Sequence, residues 1–403
     1  MAETALEGLR VLDLTQGIAG PFCTKLLADY GADVIKIERP GHGDVARRYG
    51  PFPGDDPNPE KSGLFLHLNT NKRGITLNLK TAAGRGSFKR LAERADLVVE
   101  SFMPGTMARL GLSYATLEAL NQRLVLVSIS NFGQTGPYRD YKATDLVIQA
   151  LASPMYSKGH PDREPLKYAE NTALYFAGVT AAVAALGAAF ASVFDGVGQH
   201  VDISIAEAVL GSVERMTTSY LYTGEVARRA GHQVLPTYLS GAYRCQDGFV
   251  GVQGGGRGES WWPRVYRMMG MPELAEDPRF STLQAREQNR EELDAFWHSW
   301  LLDHTREEVF RAAREARFPL APVNTTEDLL NDPHYRARGF FVGLEHPVAG
   351  HLVYPGAPFK LSETPWQVSR PAPALGQHNE EVYGGLLGLG QRDLAGLRKE
   401  GVI

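Results

Sequence analysis

With 403 residues, 43% of them hydrophobic and 22% charged, the chain is long enough for two or three packed domains. Its net charge of −4 argues against a protein whose whole surface serves nucleic acid or an acidic membrane. The two cysteines, Cys23 and Cys245, match no metal or redox spacing, so neither a metal site nor a disulfide framework is expected.

Arg10–Leu14 is a short apolar run, and Thr15–Pro21 breaks it. Phe22–Gly31 has helical spacing and ends on glycine; Ala32–Ile37 is a second apolar run. Strand, helix, strand in this order predicts a βαβ unit and a parallel sheet. The pattern repeats through Gly74–Leu79, Ala82–Arg94, Asp96–Glu100, Tyr114–Asn121 and Leu124–Ser130, so residues 1–135 read as one doubly wound α/β region. Pro51–Glu60 reads as an exposed loop.

Ala173–Phe194 carries no charge and is long enough to cross a bilayer. It is rich in alanine and includes Gly178 and Gly187, so a closely packed buried helix is the reading adopted, with no membrane partner. His200–Ile205 is a further strand, and Ala206–Tyr222 is helical. The style then changes: Gly241–Val252 predicts a hairpin around Asp247 and Gly248, followed by helices at Trp261–Met269, Arg286–Leu302 and Arg306–Ala316. Residues 335–403 carry few strong elements and are expected to fold back on the first region. Met1–Leu14 lacks the basic-then-apolar layout of a leader, so no signal peptide is expected, and the cysteine usage fits a reducing cytoplasm.

Several segments together carry a resemblance. They are LDLTQGIAGPFCTKLLADYGADVIKIERPGHGD at 12–44, LNTNKRGITLNLK at 68–80, ADLVVESFMPGTMARLGL at 95–112 and SISNFGQTGP at 128–137. GVGQHVDISIAEAV at 196–209, DPHYRARGFF at 332–341, PGAPFKLSETP at 355–365 and APALGQHNEEV at 372–382 continue it. In order and spacing they resemble the class III coenzyme A transferases. The resemblance implies a large Rossmann-like domain from residues 1–222 and 333–403, a small α+β domain from 223–332, and two subunits interlocked as a dimer. It also implies coenzyme A or an acyl-CoA as substrate, with no tightly bound cofactor.

Coenzyme A brings a diphosphate and a 3′-phosphate, which need fixed positive charge. The sequence offers Lys36, Arg39, Arg47, Arg48, Lys72, Arg73, Arg109 and Lys142, most at strand ends or in loops. By resemblance the CoA contacts fall on Ile18, Ala19, Arg39, Asn69, Thr70, Asn71, Lys72, Ser101, Arg109, Lys142 and Asp145, with Arg39, Lys72 and Arg109 toward the phosphates. Position 18 departs from the glutamine of formyl-CoA transferases, and position 101 has serine for asparagine.

The family's mechanism needs an aspartate that attacks a thioester to give a mixed anhydride. In PLKYAENTALYFAG at 165–178, Pro165 and Gly178 hold the family's frame while the aspartate position is Leu174, which cannot attack. Glu170 is the nearest substitute; on the same helix it would sit one turn, about 5.4 Å, away. The related racemases pair that aspartate with a histidine whose position is Thr144, so racemase chemistry is excluded. Three readings follow. The chain is the non-catalytic subunit of a hetero-oligomer whose paralogous partner bears the aspartate, as in a succinyl-CoA:benzylsuccinate transferase of toluene degradation. It is a homo-oligomer using Glu170, or it binds acyl-CoA without turnover. Gly254–Gly256 does not open a helix and is no dinucleotide loop, and the segment 231–240, where the family has a mobile glycine loop, is not glycine-rich.

Overall fold

The structure, a computed structural model, describes residues 4–152, 154–212, 215–229, 231, 239–253 and 261–403. The chain divides into two compact units. The first comprises Met1–Pro154, Lys167–Tyr222 and His334–Ile403; the second comprises Met155–Leu166 and Thr223–Pro333.

The first unit is built on six parallel strands: β1 (Arg10–Leu14), β2 (Asp33–Glu38), β3 (Arg73–Thr76), β4 (Leu97–Glu100), β5 (Val125–Ser130) and β6 (His200–Ser204). Their order is β3-β2-β1-β4-β5-β6, with registers such as Val11 beside Val34 and Leu12 beside Val98. Alternate residues of a strand face opposite sides, so two cores form. Val11, Leu97, Val99 and Val127 pack with the helices Ala19–Asp29 and Thr172–Asp195. Leu12, Ile75, Val98 and Leu126 pack with Phe88, Leu91, Val382 and Tyr383. The Val/Ile/Leu runs are therefore strands covered on both faces, as a parallel sheet requires. The order in which strands are added reverses between β1 and β4, the place where open α/β sheets bind ligands beyond the carboxyl ends of their strands.

Two glycines set the ligand end of this layer. A β-carbon on Gly178 would lie 2.7 Å from the Ala19 carbonyl oxygen, so only glycine lets the long helix cross the Ala19–Asp29 helix this closely. A β-carbon on Gly20 would meet the Thr15 side chain at 2.3 Å. Together they draw the start of the long helix to the turn after β1. By length and composition the Thr172–Asp195 helix is apolar enough to cross a membrane. One face, with Ala173, Ala177, Ala181, Ala185 and Ala188, is buried on the sheet layer, whereas Phe176, Val183, Phe190 and Phe194 are exposed. The expectation of a buried helix therefore holds for one face only.

The C-terminal residues are more structured than their sequence suggests. They form an antiparallel hairpin, Phe341–His346 with Gly350–Pro355, and helices Asn379–Leu387 and Gln391–Lys399. They close the free edge of β3: the Gly74 amide donates to His378 Nδ1, the Thr76 amide to Asn379 Oδ1, and the Tyr383 hydroxyl to the Thr76 carbonyl.

The second unit has the expected hairpin, Ser240–Cys245 with Gly248–Gln253, and a third strand, Leu320–Pro322, too short to be read from sequence. Helices Trp262–Met268, Arg290–Leu302 and Arg306–Glu315 accompany them. Tyr243, Val250, Tyr266, Trp297 and Leu301 fill its core. Residues 155–166 cluster with this unit, although the sequence places them before the long helix. Gly254–Gly256 and residues 232–238 of the segment 231–240 lie outside the described residues.

Candidate functional site

The turn after β1 is held by a buried charge network. Asp13 is fully buried, with Lys72 Nζ at 3.0 Å and Lys36 Nζ at 3.8 Å. Lys36 also pairs with Asp44 at 2.7 Å and donates to the Thr15 carbonyl. Lys72 donates further to Thr24, Asn69 and the Pro21 carbonyl. Burial raises the Asp13 pKa, but Lys36, Lys72 and the Thr15 and Thr24 hydroxyls outweigh it and bring it down to about 2. Burial also lowers Lys72 to about 8 against the pull of Asp13. Asp13 accepts from the Thr15 amide, and Asp44 from the amides of Gly17 and Ala46. The network thus fixes the backbone of residues 15–17. Beside it Arg47, held by Glu38 and Glu60, stacks on Phe65.

That fixed turn forms one wall of a cavity of about 990 Å³. Gln16–Gly20 after β1 and Ser101–Pro104 after β4 face each other there, and the Gln16 amide donates to Ser101 Oγ at 2.9 Å. The second loop is anchored by Glu100, whose carboxylate accepts from the Phe102 amide at 2.7 Å. Burial lifts the Glu100 pKa to about 7, opposed by hydrogen bonds from Ser128 and Phe102 and assisted by Asp202. Ile129–Asn131, Arg139, Ala143–Asp145, residues of the Glu170–Tyr175 segment, Tyr49, Leu64 and His67 also line the cavity.

Position 174 is a half-buried leucine packed against the first core and open to the cavity. Asp145 is buried and committed: it accepts from the Ala173 amide at 3.1 Å and from Gln149 at 2.6 Å, and so caps the start of the long helix. Glu170 is exposed and has φ +49°, two residues before the helix begins at Thr172. It therefore does not share the helix of position 174, the condition for a one-turn separation. Its backbone carbonyl accepts from Lys167.

Of the residues singled out in the sequence, Ile18, Ala19, Ser101, Asp145, Glu170 and Leu174 meet at this cavity. Arg39, Arg109 and Lys142 are exposed and do not line it; Arg109 donates to Thr106 Oγ1. Asn69, Thr70 and Lys72 are fully buried in the polar network. Lys72 was expected at a phosphate; instead its ammonium has four oxygen acceptors and no exposure, which uses its three hydrogens. Asn71 bonds Asp29 and the Gln367 carbonyl, away from the cavity. Cys23 is a buried thiol whose pKa burial and Asp13 push up to about 12, unsuited to attack.

Two lining residues gave no sequence signal. His67 has Nδ1 buried without a hydrogen-bond partner, and burial together with Lys25 lowers its pKa to about 4, so the ring is neutral at pH 7. Arg139 sits three residues before Lys142 in a loop where only the latter stood out. Among the described residues no three His, Cys, Asp or Glu side chains are grouped to hold a metal.

A βαβ sheet with its cavity at the β1–β4 switch point fits a nucleotide-bearing substrate. The sequence matches CoA-transferase family III over residues 6–379. The chain belongs to this family. It is 39% identical to a succinyl-CoA–D-citramalate CoA-transferase of Chloroflexus aurantiacus, over 99% of this chain and 98% of that one. It is 31% identical to the alpha subunit of a succinyl-CoA–L-malate CoA-transferase from Chloroflexus aurantiacus, over 99% and 92%. The crystal structure of a CAIB/BAIF family protein from Brucella suis superposes with a TM-score of 0.84 at 30% identity, covering 95% of this chain and 99% of that one. CoA-transferase chemistry on CoA thioesters is thereby the activity of the family, and the six-stranded parallel sheet matches that neighbour's fold.

Proposed function

We propose that this chain is the non-catalytic subunit of a cytoplasmic, hetero-oligomeric CoA-transferase, with Leu174 in the position of the family's attacking aspartate. The observation that carries this reading is the cavity wall at 174. A hydrocarbon side chain faces the space, Asp145 is spent on capping the helix, and Glu170 stands outside the helix. A mixed anhydride needs a carboxylate oxygen aimed at the thioester carbonyl, and among the described lining residues the carboxylates are the capping Asp145 and the pre-helix Glu170.

In this reading a paralogous partner supplies the aspartate. Its carboxylate attacks the acyl carbonyl of succinyl-CoA, the C–S bond breaks, and CoA leaves as thiolate. The thiolate attacks the anhydride at the aspartyl carbonyl, releasing succinate. The acceptor carboxylate then displaces CoA from the aspartyl thioester, and the thiolate takes the acceptor acyl group from the second anhydride. The present chain completes the fold of the complex and offers Arg39, Arg109 and Lys142 to CoA phosphates; all three are exposed. The name of the L-malate relative, an alpha subunit, supports a two-subunit assembly. So does the exposed apolar face of the long helix, where Val183, Phe190 and Phe194 are each 67–70% exposed in the single chain. An interlocked dimer would cover it. The acceptor proposed is benzylsuccinate.

The test is CoA transfer from succinyl-CoA to benzylsuccinate by the chain alone and mixed with an aspartate-bearing homologue. Activity only in the mixture supports the reading. Equal activity of the chain alone contradicts it and points to Glu170 in a homo-oligomer. CoA binding with no activity in either sample leaves a binding protein.

A further inference from the structure

Among the described residues that line the cavity, Arg139 is the only lysine or arginine. Its Nε is buried and makes no hydrogen bond. Its nearest carboxylate, Asp140, stands 3.8 Å away and is 75% exposed, so that pairing is weak. The Nη2 of Arg139 lies 3.1 Å from where a β-carbon on Gly105 would sit, and Arg109 Nη1 lies 3.3 Å from the same point. Two guanidinium groups thus flank a glycine with no acid between them. Arg109 bonds only a neutral hydroxyl there. The contrast with the rest of the unit is sharp, because Lys36, Arg47 and Lys72 each have a buried or half-buried acid of their own.

Resting on the CoA-transferase reading above, we propose that Arg139 selects acyl groups that carry a second carboxylate. One end of the acyl group is bound to CoA as the thioester; the free carboxylate at the other end meets Arg139 across the cavity. The neutral His67 offers that anion no second cation in the cavity. A planar guanidinium with free N–H groups suits a carboxylate in two-point contact. Gly105 leaves the approach open. Succinate and benzylsuccinate both have the required second carboxylate.

Phosphate would satisfy the same two guanidinium groups, so the test compares thioesters that share the whole of CoA. Calorimetric titration of the full chain with succinyl-CoA and butyryl-CoA contrasts a terminal carboxylate with a terminal methyl on four-carbon acyl groups. Wild type is expected to bind succinyl-CoA at least about tenfold more tightly. Arg139→Ala should erase that preference by weakening succinyl-CoA alone, and Arg139→Lys should keep part of it. The side chain is 42% exposed, so both variants should melt with wild type in circular dichroism. Equal weakening of both thioesters by Arg139→Ala would move the residue to a phosphate and overturn the proposal. Equal affinity of wild type for both would overturn it while leaving the CoA site intact. Failure of both to bind wild type would instead remove the CoA site from this chain, and the proposal with it.

Discussion

Two groups of basic residues in the first unit look alike in sequence and behave oppositely in structure. Lys36, Arg47 and Lys72 are buried, each held by an acid, and they fix the turn that shapes the cavity. Arg39, Arg109, Arg139 and Lys142 are exposed or half-exposed, with no buried acid to hold them. A cation saturated inside the protein stabilises a shape, and a cation left open is available to a ligand. The two roles should separate under mutation.

The largest effect is expected in the buried group. Asp13→Asn leaves Lys36 and Lys72 without their shared carboxylate, and urea denaturation should show a loss of about 3–5 kcal/mol. A loss under 1 kcal/mol would mean that the network does not hold the turn. Glu100 comes next. It ionises near pH 7 when folded and near 4.5 when unfolded, so the folded chain holds the extra proton between those values. Its contribution is therefore present below about pH 4.5 and is lost as the pH rises through 7. Stability of wild type should fall over that window by on the order of 2–3 kcal/mol relative to Glu100→Gln. Parallel pH profiles of melting temperature for the two proteins would refute this.

Gly178→Ala puts a methyl against the Ala19 carbonyl and must push the helices apart. A loss of about 1–3 kcal/mol is expected, with weaker CoA binding because position 174 moves with the helix; unchanged stability and affinity would show that the close approach is dispensable. The smallest stability change belongs to the open group. Arg39→Ala and Lys142→Ala should stay within about 0.5 kcal/mol of wild type while weakening CoA about tenfold in titration. If they unfold the protein, or leave CoA affinity untouched, the division into structural and ligand-facing cations fails.

Much of the first unit is legible from the sequence because its strands are unbroken apolar runs spaced by helical segments. Val125–Ser130 is buried at every position, and its run of Val, Leu and Ile says so directly. The strand Leu320–Pro322 and the hairpin after Phe341 were missed, since three residues give no period and the hairpin alternates only weakly. The fate of Lys72 was not legible either. Its acid, Asp13, is 59 residues away, and only the fold brings them together. The left-handed backbone of Glu170, just before the helix, is not legible either, because spacing says nothing of φ. Arg139 has no local mark that separates it from Arg47 or Arg48.

The most direct test of the proposed role of position 174 is the rate of CoA transfer from succinyl-CoA by wild type and by Leu174→Asp, each purified alone. The account predicts no turnover by wild type and measurable turnover once the carboxylate is restored. Turnover by wild type alone that Glu170→Gln abolishes would contradict it.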